Sequence, residues 1–165
     1  CMILFHNSLH LLIQNHLKVL SSTYQINLEI APSGKYQSFI DKSQVLQAVT
    51  NLVLNATESY ESGRKGSVDI SISNETLTEE VVGLQLGARP GEYVRIRVKD
   101  QGVGMTPDTL QKAFDPFFTT KAGTGHHGLG LSTVFAIIRD HDGFLTAESS
   151  SNSGTTISLY LPIKD

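Results

Sequence analysis

The segment from Gln101 to Gly128 most limits what this chain can become. It carries glycines at 102, 104, 123, 125 and 128 and prolines at 107 and 116, and no helical or alternating apolar pattern runs through it. Structureless loops longer than ~15 residues are uncommon in compact domains unless they act as lids or binding loops. The chain is therefore expected to fold as a scaffold around this stretch, with the stretch carrying the function.

The scaffold reads from periodicity. Tyr24–Ile30 sets Ile26, Leu28 and Ile30 against polar neighbours, Val68–Ser73 alternates as VDISIS, and Tyr93–Lys99 puts Val94, Ile96 and Val98 on one face; each predicts a strand. Ile3–Leu20 has apolar residues at helical spacing, and Lys42–Tyr60 is the strongest helix, with Asp41 or Ser43 available as its cap. Ala31–Tyr36, with Pro32 and Gly34, reads as a connector, and Asn74–Glu92, ending near Pro90 and Gly91, as mostly an insertion between strands. Leu129–His141 returns to helix, stopped by Asp142-Gly143, and Phe144–Ser149 and Thr155–Leu161 predict a closing hairpin. Helices and strands intermix in an α+β order without internal repeats.

Composition removes several functions. At ~150 residues per domain, 165 residues make about one domain, large enough to bury roughly two-thirds of the unfolded chain's surface without disulfide staples. The single cysteine, Cys1, fits a reducing compartment. Hydrophobic residues at 39% and charged residues at 18% are ordinary for a soluble globular protein. Thirteen basic against sixteen acidic side chains leave a net charge of -3, which excludes nucleic-acid binding by bulk charge. The longest apolar runs, Cys1–Phe5 and Leu11–Ile13, fall far short of the ~20 residues that span a bilayer. His6, Asn7 and His10 interrupt the start, so no signal peptide is expected. A first residue other than Met leads us to expect a piece of a longer protein.

Three constellations could carry chemistry. On the Lys42–Tyr60 helix, Gln44, Gln47, Asn51, Asn55 and Glu58 fall within about 40° of one line, opposite Val45, Val49, Leu52, Val53, Ala56 and Tyr60. A solvated face is the ordinary reading of such a line. Asn, however, is a poor interior helix former, and its amide oxygen is a hard neutral ligand suited to Mg²⁺ completed by phosphates and water. Asp100-Gln-Gly102-Val-Gly104 follows a strand: a turn explains it, and so does a carboxylate accepting from an exocyclic amine beside glycines that admit a planar base. Finally, Gly123-Thr-Gly125-His126-His127-Gly128-Leu129-Gly130-Leu131 opens a helix whose free amides can hold an anion. This is not a dinucleotide fingerprint, because no strand precedes it, and there is no P-loop. His126 and His127 lack the companions a zinc site needs.

In this order the elements resemble one family. Asn51-Leu-Val-Leu-Asn55-Ala resembles the N box of the GHKL ATP-binding fold, Asp100-Gln-Gly102-Val-Gly104 its G1 box, and Gly128-Leu-Gly130-Leu-Ser its G2 box, with Gly154-Thr155-Thr156 as the last short motif. Phe114-Asp-Pro-Phe117-Phe118-Thr-Thr-Lys121 resembles the F box of sensor histidine kinases, of the nitrogen-regulation type and its hybrid relatives. The likeness runs from about Asp41 to Pro162. It implies an α/β (α+β) two-layer sandwich of the Bergerat type, a mixed sheet packed on helices, with residues 39–165 as the ATP-binding catalytic domain and 1–38 as a linker helix and first strand continuous with it. It implies ATP and Mg²⁺ as cofactors, with Asn55 as the metal ligand, Asp100 on the adenine amino group, and Gly102 and Gly104 shaping the adenine pocket. Phe114–Gly128 would be the lid, Gly128 and Gly130 would give amides to the triphosphate, Lys121 would be a charge partner, and Thr156 would lie near the adenine end. Asn51, Asn55 and Lys121 take the catalytic positions; Glu58, Met105, Phe114, Phe117, Phe118, Thr119, Thr120, Leu129 and Leu131 complete the implied cofactor-binding set.

Two departures stand out. His127 occupies a position where the family usually has Thr. The phosphorylated histidine of these kinases lies in a separate helical domain within an H-E-x-x-N-P-like motif, and His6, His10 and His16 are followed by Asn7, Leu11 and Leu17 instead. The resemblance therefore implies a catalytic domain acting on a phosphoacceptor-histidine domain of the same, homodimeric parent, with a response regulator downstream, a cytoplasmic location, and no direct membrane or nucleic-acid contact. An ATP hydrolase of the same fold would need a Glu one turn before the metal-binding Asn, where this chain has Asn51. A third possibility is a regulatory module that binds ATP without turnover.

Overall fold

Alternation in the sequence becomes a five-stranded sheet. The computed structural model describes residues 2–3, 15, 25–30, 39–60, 66–79, 88–121 and 127–163. Its elements are β1 (Met2–Ile3), β2 (Gln25–Ile30), β3 (Phe39–Ile40), α1 (Lys42–Thr57), β4 (Ser67–Leu77), β5 (Gly91–Asp100), α2 (Pro107–Lys112), α3 (Gly130–Asp140), β6 (Phe144–Ser149) and β7 (Thr155–Pro162). The large sheet runs β2-β4-β5-β7-β6, and β1 and β3 form a separate antiparallel ribbon. β2 lies parallel to β4, and the other three pairings are antiparallel.

One face of the sheet is apolar because the alternation puts it there. Val68, Ile70 and Ile72 of β4, Val94, Ile96 and Val98 of β5, and Ile157, Leu159 and Leu161 of β7 are buried in one cluster with Val45, Val49, Leu52 and Val53 of α1 and Val134, Ile137 and Ile138 of α3. Each such side chain contributes ~1.5–3 kcal/mol by leaving water, so this interface between sheet and helices is the main stabilising contact of the two-layer α+β fold. A smaller cluster of Leu77, Tyr93 and Phe144, packed by Tyr160, sits on the opposite parity of the strands. There Phe144 stacks on Tyr160 at 4.4 Å and meets Tyr93 edge-on at 5.4 Å.

The structure departs from the sequence expectations at four places. α1 stops at Thr57, before Tyr60: Ser59 N and Ser59 Oγ both donate to Ala56 O, at 3.3 and 2.7 Å, taking the carbonyl that Tyr60 N would need in a further turn. Asn74–Leu77, expected in an insertion, continues β4 against Gly91–Val94. Polar pairs hold it there: Glu75 with Arg95, and Thr76 Oγ1 donating to Glu92 Oε1 at 2.9 Å. The Gly-rich stretch contains the short helix α2, capped by Thr106 Oγ1 accepting from Thr109 N, with Pro107 in its first turn. Met2–Ile3 is a strand where a helix was expected to begin; Asn15 is helical, and the rest of that helix lies outside the described residues, as does the connector Ala31–Tyr36. The Asp41 cap is as expected, accepting from Ser43 N at 2.9 Å and Gln44 N at 3.2 Å. Among the described residues no helix is long and apolar enough to cross a membrane.

Candidate functional site

The C-terminal half of α1, the end of β5, α2, Phe118–Lys121 and the start of α3 enclose a cavity of about 430 Å³. α1 contributes Asn51, Asn55 and Glu58, the lower part of its polar line. Asp100, Gly104 and Met105 come from β5 and the turn after it, Phe118, Thr119, Thr120 and Lys121 from the segment before the next helix, and Gly128, Leu129, Gly130 and Leu131 from the start of α3. Most of the residues singled out from sequence thus share one cavity.

Asp100 forms one end. It follows Val98 on the buried face of β5 and is 5% exposed. Its Oδ1 accepts from Gly102 N at 2.8 Å and lies 2.9 Å from the Ser59 hydroxyl, which also reaches Ala56 O at 2.7 Å and divides its one proton between them. Burial pushes the Asp100 carboxyl up from the usual carboxylate range, while the Gly102 amide, the Ser59 hydroxyl, the Thr155 backbone and the positive charge of Lys121 each pull it back. The turn after Asp100 is pinned on both sides. Tyr60 OH accepts from Gln101 N at 2.8 Å and donates to Ser67 O at 2.6 Å; Val103 N donates to Ser59 O, and Met105 N to Ser149 Oγ. Gly104 sits at φ +64, and a β-carbon there would overlap Ser150 O, so no side chain fits.

The other end is built differently. α3 begins at Gly130 with no side-chain cap and no acidic residue in its first turn, so its first amides remain open to an anion. Asn51 Nδ2 donates to Gly130 O at 3.3 Å, and a β-carbon on Gly130 would lie 3.6 Å from the Asn55 amide, which brings both asparagines onto the start of α3. Lys121 Nζ pairs with Glu58 Oε2 at 3.1 Å, and Lys121 N donates to Thr119 Oγ1 at 3.0 Å. Among the described residues no group of three His, Cys, Asp or Glu side chains could hold a metal ion.

Four of the expected residues do not line the cavity. Gly102 lies behind its wall, where a β-carbon would overlap the Ser59 side chain. Phe114 packs partly buried against the core. Phe117 is 75% exposed at φ +68, its amide donating to Gly128 O at 3.0 Å. Thr156 pairs with Lys99 and Glu148, and its neighbour Thr155 lines the cavity instead. Strand parity could have found this, since Thr155 shares the face of Ile157, Leu159 and Leu161. Ser59 and Tyr60 were also missed, and their contacts to Asp100 and Gln101 span 41 residues, beyond any local signal. His127, where the motif departs from its usual form, lines the cavity.

Comparison with known proteins bears on the family and the fold. Residues 40–165 match the model for the histidine kinase-, DNA gyrase B- and HSP90-like ATPase. The chain is 34% identical over 122 residues to the sensor kinase CckA of Brucella abortus, covering 74% of this chain and 13% of that one. Sporulation kinase B of Bacillus subtilis is 35% identical over 122 residues, with 74% and 24% covered, and the sensor histidine kinase ZraS of Salmonella typhimurium is 35% identical over 124 residues, with 74% and 23% covered. The chain thus spans a quarter or less of the length of these relatives. Among solved structures, the catalytic domain of histidine kinase ThkA superposes with a TM-score of 0.73 at 26% identity, covering 98% of this chain and 94% of that one.

Proposed function

The chain belongs to the histidine kinase-, DNA gyrase B- and HSP90-like ATPase family and is a catalytic ATP-binding domain of the histidine kinase kind, and from that premise we propose that it transfers the γ-phosphoryl group of ATP to a histidine carried by another domain of its parent protein. The observation that carries this reading is the cavity's pairing of a buried acceptor, Asp100, with an uncapped helix start at Gly130. Asp100 would accept from the adenine amino group while Val98, Met105, Ala113 and Ile157 offer apolar walls to the base. The amides from Gly128 to Leu131 would receive the phosphates. Asn55 fits Mg²⁺: its amide is a neutral oxygen donor beside the open amides of α3, and a metal sharing phosphate oxygens needs few protein ligands. When bound, the metal would neutralise phosphate charge during transfer.

The chain's own part is positioning and charge stabilisation, which dominate phosphoryl transfer. Asn51 supports transfer over hydrolysis, because an amide that donates to Gly130 O cannot take a proton from water. As parts of the same proposal, the Phe114–Lys121 segment and its F-box likeness favour the nitrogen-regulation or hybrid subtype. The parent would be a cytoplasmically placed homodimer acting on a response regulator, with residues 1–38 leading from the phosphoacceptor domain into 39–165.

Calorimetric titration with Mg²⁺ and a non-hydrolysable ATP analogue tests binding, and incubation with γ-labelled ATP tests transfer. The chain alone should bind nucleotide, stay unlabelled and hydrolyse ATP near background. Adding the phosphoacceptor domain should produce labelling there, and Asn55→Ala should abolish it. Brisk turnover by the chain alone, lost in Asn55→Ala, would replace the kinase reading with the hydrolase one.

A further inference from the structure

Glu58 and Lys121 face one another across the mouth of the cavity. Glu58 caps the C-terminal end of α1, one turn beyond Asn55, and Lys121 ends the segment that starts at Phe114. Their charged atoms are 3.1 Å apart, both residues line the cavity, and their side chains are 31% and 37% exposed. The ammonium of Lys121 is also near enough to act on Asp100, the acceptor at the far end. Lys121 therefore stands at the wall of the space that a nucleotide would enter.

We propose that Glu58 and Lys121 form a latch that the terminal phosphate of a bound nucleotide must open, so that Glu58 sets how strongly the site prefers a triphosphate over a diphosphate. This rests on the reading of the cavity as a nucleotide site. An ion pair this exposed is weak, and a phosphate oxygen is a stronger partner for an ammonium in a site where water is reduced. A nucleotide that reaches Lys121 must displace the carboxylate, and one that stops short of it leaves the pair intact. The extra phosphate thus gains Lys121 and loses the Glu58 contact in a single exchange. Glu58 acts here as a positioning residue: it holds Lys121 at the mouth and restrains it until a suitable anion arrives.

Glu58→Gln keeps the side chain's shape and removes the charge, and circular dichroism should show the fold retained. In the full chain with Mg²⁺, calorimetry should then show the ratio of ATP-analogue to ADP affinity rising about two- to fivefold, the upper part of the range that an exposed ion pair spans. In a Lys121→Met background the same Glu58→Gln change should leave that ratio where Lys121→Met puts it. An unchanged ratio in Glu58→Gln, a weaker hold on the analogue, or a gain that persists without Lys121 would each overturn the latch. A parent chain that binds neither nucleotide would instead overturn the nucleotide site itself, and the latch with it.

Discussion

The two ends of the cavity are made by opposite means. At the Asp100 end, a buried strand terminus and a pinned turn supply groups already held by hydrogen bonds from Gly102 and Ser59 and by one that Tyr60 accepts from Gln101. At the Gly130 end, the elements leave demand open: an uncapped helix start with two asparagine amides brought against it. A base can be recognised by fit, because its hydrogen-bonding edge is fixed. Phosphates carry charge that must be met by exchanging partners. On the proposed reading the asymmetry would divide the labour, with shape selected at the strand end and charge at the helix end.

The largest test of that division is Asp100→Ala. It removes the buried carboxylate of the strand end, and nucleotide affinity should fall about 100-fold, equivalent to ~2.7 kcal/mol, by calorimetry. A loss below threefold would mean that the strand end does not select the base. Next is Gly104→Ala, which should lower stability by roughly 1–3 kcal/mol in urea unfolding, because φ +64 and the nearby Ser150 O tolerate no β-carbon. An unaltered midpoint would show that the turn is looser than its hydrogen bonds imply.

Asp100→Asn separates binding from stability. It keeps an acceptor for the Gly102 amide but presents a donor to an adenine amino group that is itself a donor, so affinity should fall about tenfold. Burial raises the folded pKa of Asp100, so its contribution to stability is present below the unfolded value and is lost as pH rises through the folded one. At neutral pH the variant should therefore melt no lower than the parent. For the same reason, nucleotide binding by the parent should weaken on acidification at a pH above the ordinary carboxylate value of about 3.9. A titration midpoint at or below that value would break the link between burial and binding.

The smallest effect is expected away from the cavity. Asp41 N donates to His141 Nε2 at 2.9 Å, which leaves Nδ1–H to donate to Ile137 O at 2.7 Å, and the ring thereby ties the end of α3 to the start of α1. His141→Ala should cost ~1 kcal/mol in unfolding with nucleotide affinity changed less than twofold. A larger loss of affinity would place the orientation of α3 among the determinants of the helix end.

How far these features could be read from the sequence depends on how local their causes are. The strands, the Asp41 cap and the burial of one face follow from residues a few positions apart. α2 was also announced locally, by Thr106 and Pro107, but the surrounding glycines masked it. The extension of β4 was not announced: Glu75–Arg95 and Thr76–Glu92 act only once the strands pair, and neither adds apolar alternation. In the site, Asp100 stands out as a polar residue on the apolar face of a strand, and Asn51 and Asn55 as poor helix formers within a regular helix. Ser59 has no such mark, since its role comes from a carboxylate brought to it by the sheet. Phe117 shows the reverse case, a large apolar residue that its chemistry alone would bury but that lies 75% exposed on a left-handed backbone.

The register of β5 has a consequence for the order in which the molecule can be made and unmade. Asp100 pairs with Val68, and the adjacent Lys99 with Thr156, so the strand end of the cavity exists only after two pairings between distant parts of the chain have closed. Such contacts are slow to form because loop closure must come first. A chain still lacking either pairing has no completed pocket, and nucleotide has nothing there to hold. Ligand at 100 times its dissociation constant would add ~2.7 kcal/mol to the finished state alone. That stabilisation should appear almost entirely as slower unfolding, with the refolding rate left as it was.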